Sequence, residues 1–198
     1  MESMADDQEV LARYSRRAGR FADVISAAPP GRWSAQSPCA TWTAADVVQH
    51  AVDMHAAMFV PTDLARAPGP SVTEDPLGAF NSARADVERA LGDPAVAGLA
   101  VQTPMGPSTF AAHVDGVASA DLMIHSWDLA RALGLDYSID PDELDDQWQG
   151  AQQIPDIMRR PGAFGPGIVV FGPVVEVPDD APVQDRILGL LGRDPHWT

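Results

Sequence analysis

From Thr109 or Phe110 to Leu133 the chain repeats apolar residues at helical spacing, and Gly134 follows as a stop. Such a run predicts a long core helix, and a helix of that length needs partners to bury against. In its middle stand Asp121 and His125, four residues apart. At ~100° per residue they project from one face, within roughly 40° of each other. Val117, Ile124 and Leu129 share that face and should point into a core. Burying a carboxylate and an imidazole there without compensation is costly, on the order of several kcal/mol each. A metal ion is one compensation and a hydrogen-bonded core pair is the other. On the residues alone the pair is the simpler reading.

The remaining periodic segments supply the partners. Val10, Leu11, Tyr14, Ala18, Phe21 and Val24 or Ile25 mark a first helix over about 8–28, stopped by Pro29-Pro30, behind a polar and frayed 1–7. A loop, 29–42, carries Trp33, Cys39 and Trp42. Thr43 and Asp46 read as a capping box opening a second helix to about Val60, with Val47, Val48, Ala51, Met54 and Met58 inward. His50 lies at the edge of that stripe, whereas His55 is about 140° further round and reads as surface. A third helix spans about Glu74–Leu91. Leu99–Thr103 reads as a small strand between turn signals. A further helix is predicted over about Pro141–Met158 and a last one over Val183–Leu191. Between them Ile168–Phe171 and Val174–Val177 read as short paired strands. The expectation is a mainly α, single 1–198 domain, a helical bundle with an irregular C-terminal segment.

Charge narrows the partners. The net charge is −15, there is no lysine, and the thirteen arginines form no cluster, so nucleic acid is excluded as a partner. One cysteine rules out an internal disulfide framework and a cysteine-rich zinc site. No basic stretch followed by an apolar run opens the chain, and no apolar run approaches ~18 residues. The expectation is therefore a soluble cytoplasmic protein with no membrane partner.

His50, Asp121 and His125 form the best candidate set. Two imidazoles and a carboxylate from two facing helices would leave one coordination position open, as in catalytic metal sites. Zinc accepts this set, and so do nickel and ferrous iron. His113, two turns before Asp121, is at best an outer neighbour. His196 lies in a solvated tail, Asp128 and Arg131 read as a helix-surface or loop-tethering pair, and Cys39 reads as a small apolar filler more readily than as a reactive thiol. Trp42 and Trp127 read as anchors. The chain has no G-x-S-x-G elbow and no phosphate-binding glycine loop.

Two stretches carry a resemblance. Trp33-Ser-x-x-Ser-Pro-Cys-x-x-Trp42-Thr-x-x-Asp46-Val-Val-x-His50 and Asp121-x-x-x-His125-x-Trp127-Asp128-Leu-Ala-Arg-Ala-x-Gly134 together resemble the metal-binding domain of mycothiol-dependent maleylpyruvate isomerase. That family belongs to the DinB-like superfamily, and the chain is similar to its short actinobacterial metal-binding branch. The resemblance implies a four-helix bundle with long crossover connections and a divalent metal, zinc first, on His50, Asp121 and His125. It also implies a mycothiol-type thiol as cosubstrate and a small electrophile as its partner. Two departures stand out: the middle ligand is an aspartate where relatives commonly carry glutamate or histidine, and 198 residues leave no room for the isomerase's further C-terminal domain. Maleylpyruvate as substrate is therefore not implied. Since the superfamily often forms dimers, a homodimer is the assembly to test.

Three readings compete. The chain is a metal-dependent transferase or isomerase using a low-molecular-weight thiol, or a non-catalytic metal-binding or structural protein of the same fold, or a bundle that holds no metal. In the first, Asp46 or His113 would orient ligands, and Arg159, Arg160 and Phe164 would stand at the mouth of the site.

Overall fold

The structure is a computed structural model that describes residues 2–162 and 169–198. The chain groups into two compact units, Met1–Leu135 and Asp136–Thr198. The first is a bundle of four long helical segments: α1 (Glu2–Ser26), α2 (Ala44–Met58), α3 (Pro76–Leu91) and a composite C-terminal helix. α1 and α2 each pack against α3 and against the end of that composite helix, closing a ring. The mainly α expectation holds, and the periodic positions explain it. Tyr14, Ala18 and Phe21 of α1, Val47, Val48 and Ala51 of α2, and Phe80 and Val87 of α3 are all buried. Phe21 and Phe80 meet with ring centroids 4.7 Å apart. Each such aromatic contributes roughly 1.5–3 kcal/mol by leaving water.

α1 starts at Glu2, so the segment read as frayed is helical from its second residue. After α3 a short α4 (Pro94–Ala97) leads into a hairpin, β1 (Ala100–Thr103) paired antiparallel with β2 (Gly106–Thr109). β1 was expected and β2 was not. Met105-Gly106-Pro107 reads as a turn signal, but a two-stranded hairpin leaves each strand one unpaired edge, where the proline of β2 is tolerated.

The composite helix consists of α5 (Phe110–Val114), a π-helical turn (Asp115–Ser119) and α6 (Ala120–Leu133). Thr109 caps its start by accepting from the Ala112 N–H at 3.2 Å. Gly134, at φ 75°, ends it, with the Leu135 N–H reaching back to the Ala130 carbonyl at 2.8 Å. Every residue from Leu122 to Ala130 is buried, so α6 is the central rod of the bundle.

In the second unit a 3-10 turn (Pro141–Glu143) precedes α7 (Leu144–Gln152), a second 3-10 turn covers Asp156–Arg159, and α8 spans Val183–Leu190. The single helix expected to Met158 stops at Gln152 because Pro155 disfavours helical backbone at Ile154 and brings no N–H of its own. α7 packs against α8, where the Arg186 guanidinium lies 4.1 Å from the Trp148 ring centroid. The strand pair expected around Gly172 is not there: Val174–Val177 carries no ladder, and Ile168 lies outside the described residues. Instead the Val175 N–H donates to the Gly189 carbonyl at 3.0 Å, so this segment is fastened to α8. A Cβ on Gly189 would sit 2.6 Å from the Val175 carbonyl oxygen, which explains the glycine. No helix among the described residues is long and apolar enough to cross a membrane.

Candidate metal centre

α2 and α6 bring the three sequence-selected residues together. Thr43 and Asp46 set the start of α2: the Thr43 backbone N–H and hydroxyl donate to the Asp46 carboxylate at 2.8 and 2.6 Å, and the Asp46 N–H returns to the hydroxyl at 3.3 Å. These bonds hold the Asp46 carboxyl below its ordinary pKa. Both contacts to the carboxylate fall on one oxygen, Oδ2, and among the described residues no hydrogen bond joins Asp46 to His50, Asp121 or His125, so its visible role is to start the helix. One turn later His50 points across to α6, its Nε2 3.1 Å from Asp121 Oδ2. The other carboxylate oxygen, Oδ1, lies 3.3 Å from Nε2 of His125. The donor atoms of His50, Asp121 and His125 all lie within 4.8 Å of one another.

The side chains of His50 and Asp121 are about a quarter exposed, and His125 is buried. Burial alone would raise the Asp121 pKa, but the charge on His125 and hydrogen bonds from both histidines outweigh it and hold the carboxyl well below its usual range. Burial alone would also strip the proton from His125. The Asp121 charge outweighs it, with hydrogen bonds to Asp121, Asp128 and Cys39 adding to the effect, and raises the His125 pKa well above its ordinary value. As it stands the cluster is a carboxylate gripped by two imidazoles.

A second layer, unforeseen from sequence, backs the first. Asp128, read as half of a helix-surface or loop-tethering pair, is fully buried, and its Oδ2 lies 2.9 Å from Nδ1 of His125. The Cys39 thiol donates to the same oxygen at 3.2 Å and lies 3.9 Å from that nitrogen. Cys39 is thus neither a plain apolar filler nor an isolated thiol. Cys39, His125 and Asp128 form a second group whose donor atoms lie within 4.8 Å. The i, i+3 spacing of His125 and Asp128 was the available signal, since it puts both on one face of α6.

The loop before α2 is tied down tightly. The Gln36 carboxamide nitrogen lies 3.0, 3.1 and 2.9 Å from the carbonyls of Ser37, Cys39 and Trp42. The Ser37 N–H donates to the Trp42 carbonyl, and the Ala44 N–H to Ala35. Thr41 has φ 70°, and among the described residues no other non-glycine has positive φ. This unfavourable backbone turns Trp42 onto the cluster. The indole centroid lies 4.7 Å from the His50 ring and 5.7 Å from the His125 ring. Trp42 is therefore an anchor on the imidazoles themselves, while Trp127 is buried in the core.

The other histidines separate cleanly. His55 is buried, contrary to the surface assignment, because it occupies the Val48–Ala51–Met58 stripe of α2. Its Nδ1 lies 2.6 Å from the Ala51 carbonyl, and its ring packs against Tyr14 and Phe80. Burial pushes its pKa down to about 4. His113 is half-buried and belongs to neither donor group, and His196 is exposed. In the second unit Arg159 donates to the carbonyls of Gly172 and Leu190 at 3.0 and 2.7 Å, Arg160 is exposed, and Phe164 lies outside the described residues.

A family model described as the mycothiol maleylpyruvate isomerase N-terminal domain matches residues 14–130, which include all three donor residues and Asp128. Two relatives, each named an uncharacterized protein of Mycobacterium tuberculosis and coming from two strains, are 25% identical over 184 residues. That span is 92% of this chain and 97% of each relative. No solved structure matches the chain.

Proposed function

The chain belongs to the family of the mycothiol maleylpyruvate isomerase N-terminal domain, and from that membership we propose that it binds one divalent metal, zinc first, on His50, Asp121 and His125. The observation that carries the reading is the convergence of two imidazole nitrogens and a carboxylate from two helices, all within 4.8 Å. The donor set fits: two neutral nitrogens and one carboxylate hold zinc while leaving a position open, and nickel or ferrous iron share the same ligand types. The aspartate is one methylene shorter than glutamate, yet its two oxygens already reach both histidines at 3.1 and 3.3 Å, which supports it as the middle ligand.

The activity we propose is that of a metal-dependent transferase or isomerase using a low-molecular-weight thiol of the mycothiol type, with a small electrophile as second substrate. When bound, a divalent cation supplies Lewis acidity that favours a thiol's thiolate form near neutral pH. The chain's own residues do the rest. Trp42 walls one side of the imidazole pair and limits water there. The tied loop from Ala35 to Ala44 holds that wall in place, and Asp121 stands between the two rings, its oxygens 3.1 and 3.3 Å from their Nε2 atoms.

Elemental analysis of the purified protein against His50→Ala and His125→Ala tests the metal. One equivalent in the wild type and a loss in both variants is the expected result. A metal-free wild type that takes up zinc no better than the variants ends the reading. Calorimetry with mycothiol on the zinc form, then turnover with monochlorobimane, tests the thiol. Absence of binding at millimolar thiol removes the transferase and leaves a metal-binding protein without catalysis.

A further inference from the structure

His125 uses both ring nitrogens. Nε2 faces Asp121 at 3.3 Å, whereas Nδ1 is 2.9 Å from Oδ2 of Asp128, the shorter and more deeply buried contact. Asp128 has no exposed surface and lies on a stretch of α6 that is buried from Leu122 to Ala130. A carboxylate in such surroundings persists where donors hold it. Two donors converge on its Oδ2: the His125 ring and the Cys39 thiol at 3.2 Å. An imidazole that gives its Nδ1 proton to a buried carboxylate presents Nε2 as a lone pair, and Nε2 is the nitrogen turned toward His50 and Asp121.

We propose that Asp128 is the positioning residue of this centre: it holds the proton of His125 on Nδ1 and so aims Nε2 as an electron-pair donor at the space shared with His50 and Asp121. Cys39 is the second clamp on the same oxygen, joining the loop before α2 to α6. Asp128 touches no substrate and acts through His125. The benefit to an ion rests on the metal reading above, but the placement of the proton does not.

Substituting asparagine separates this role from mere packing. An asparagine has one acceptor oxygen and one donor amide. With the Cys39 thiol taking the oxygen, the amide donates to Nδ1 and the ring proton moves to Nε2, where it blocks ligation. The test uses the full chain, labelled with 15N at histidine and freed of metal by chelator, in long-range 15N–1H spectra recorded above the pH at which the His125 ring becomes neutral. His125→Gln identifies the signal. The expected wild-type result is a proton on Nδ1, and the expected Asp128→Asn result is a proton on Nε2.

Chelator competition then measures zinc. Asp128→Asn is expected to weaken binding about 10- to 100-fold, as loss of such an outer carboxylate does elsewhere. A wild-type proton on Nε2, an unchanged tautomer in Asp128→Asn, or wild-type zinc affinity in that variant each overturns the proposal. Should Asp128→Asn not fold, the wild-type spectrum alone decides. If the wild type takes no zinc, the metal reading falls while the spectra still decide the role of Asp128.

Discussion

Nε2 of His50 stands 3.1 Å from Oδ2 of Asp121, across 71 residues of chain, and this contact joins α2 to α6 at the candidate centre. An ion bound between them stabilises the native state by mass action. At a free zinc concentration 100 times the dissociation constant the gain is about 3 kcal/mol, which moves the unfolding midpoint up by roughly 5–10 °C in a chain of this size. Calorimetric melts with and without zinc should show that shift in the wild type and none in His50→Ala or Asp121→Ala. A shift retained in both variants would place the ion elsewhere.

His55 gives the bundle an acid-sensitive core. Its pKa falls from 6.5 to about 4 on folding, because burial disfavours the charged ring. The Ala51 carbonyl and the Asp121 charge favour the proton, while Arg66 and His50 oppose it. The folded state therefore binds this proton less readily than the unfolded chain. The contribution is whole above pH 6.5, declines as the pH falls toward about 4, and levels off below that, for a total of about 3 kcal/mol. Urea denaturation at pH 7 and pH 4.5 should show His55→Phe losing less stability than the wild type over that interval. Equal losses in the two proteins would refute the assignment.

Tyr14 is fully buried, and among the described residues its hydroxyl has no hydrogen-bond partner. Burial, reinforced by the Glu88 charge, raises its pKa well above the ordinary value, so the phenol stays neutral. An unsatisfied buried hydroxyl costs about 1–3 kcal/mol relative to a satisfied one. Tyr14→Phe removes the hydroxyl and keeps the ring, and is expected to leave stability unchanged or raise it by up to about 1 kcal/mol. A loss above 1 kcal/mol in denaturant melts would reveal a partner, such as an internal water shared with Nε2 of His55, which also has no partner among the described residues.

Thr43→Ala dismantles the capping box of α2 and should cost about 1 kcal/mol in the same melts. Because Asp46 belongs to the cap, zinc stoichiometry is expected to stay at the wild-type value. A loss of zinc with fold retained would return Asp46 to the centre.

Periodicity was enough to locate the bundle helices, since Tyr14, Phe21, Val47, Val48 and Phe80 are buried where their spacing put them. Asp121 and His125 on one face also followed from spacing, whereas His50 was grouped with them by ligand type and implied as the third ligand by resemblance, because contact between two helices leaves no mark in local periodicity. His55 was misplaced by its polarity: it shares the buried stripe with Val48, Ala51 and Met58, and position on the helix outweighed residue type. Of the two readings of Asp128, the surface one failed for the same reason, while the loop-tethering one matches its bond to Cys39. Cys39 could not be connected to it, because the loop geometry that joins them depends on the Thr41 backbone and on three carbonyls gathered by Gln36. The C-terminal strands failed because prolines 173 and 178 flank a segment whose amide is satisfied by α8.

The π-helical turn at Asp115–Ser119 lies immediately upstream of the Asp121–His125 face of α6 and is gripped from α1. Arg13 forms a bidentate pair with Asp115 at 2.9 and 2.7 Å, and Arg17 donates to Ser119 at 3.2 Å. Such a turn is an insertion of one residue that a helix has absorbed without looping out. The composite helix thus carries two angular registers, one for α5 and one for α6, offset by about 100°. Deleting a single residue from the turn would restore one register and leave either the hairpin end or the Asp121–His125 face pointing the wrong way. The length of this helix is in that sense fixed to the residue, and related chains that vary it should do so in whole turns.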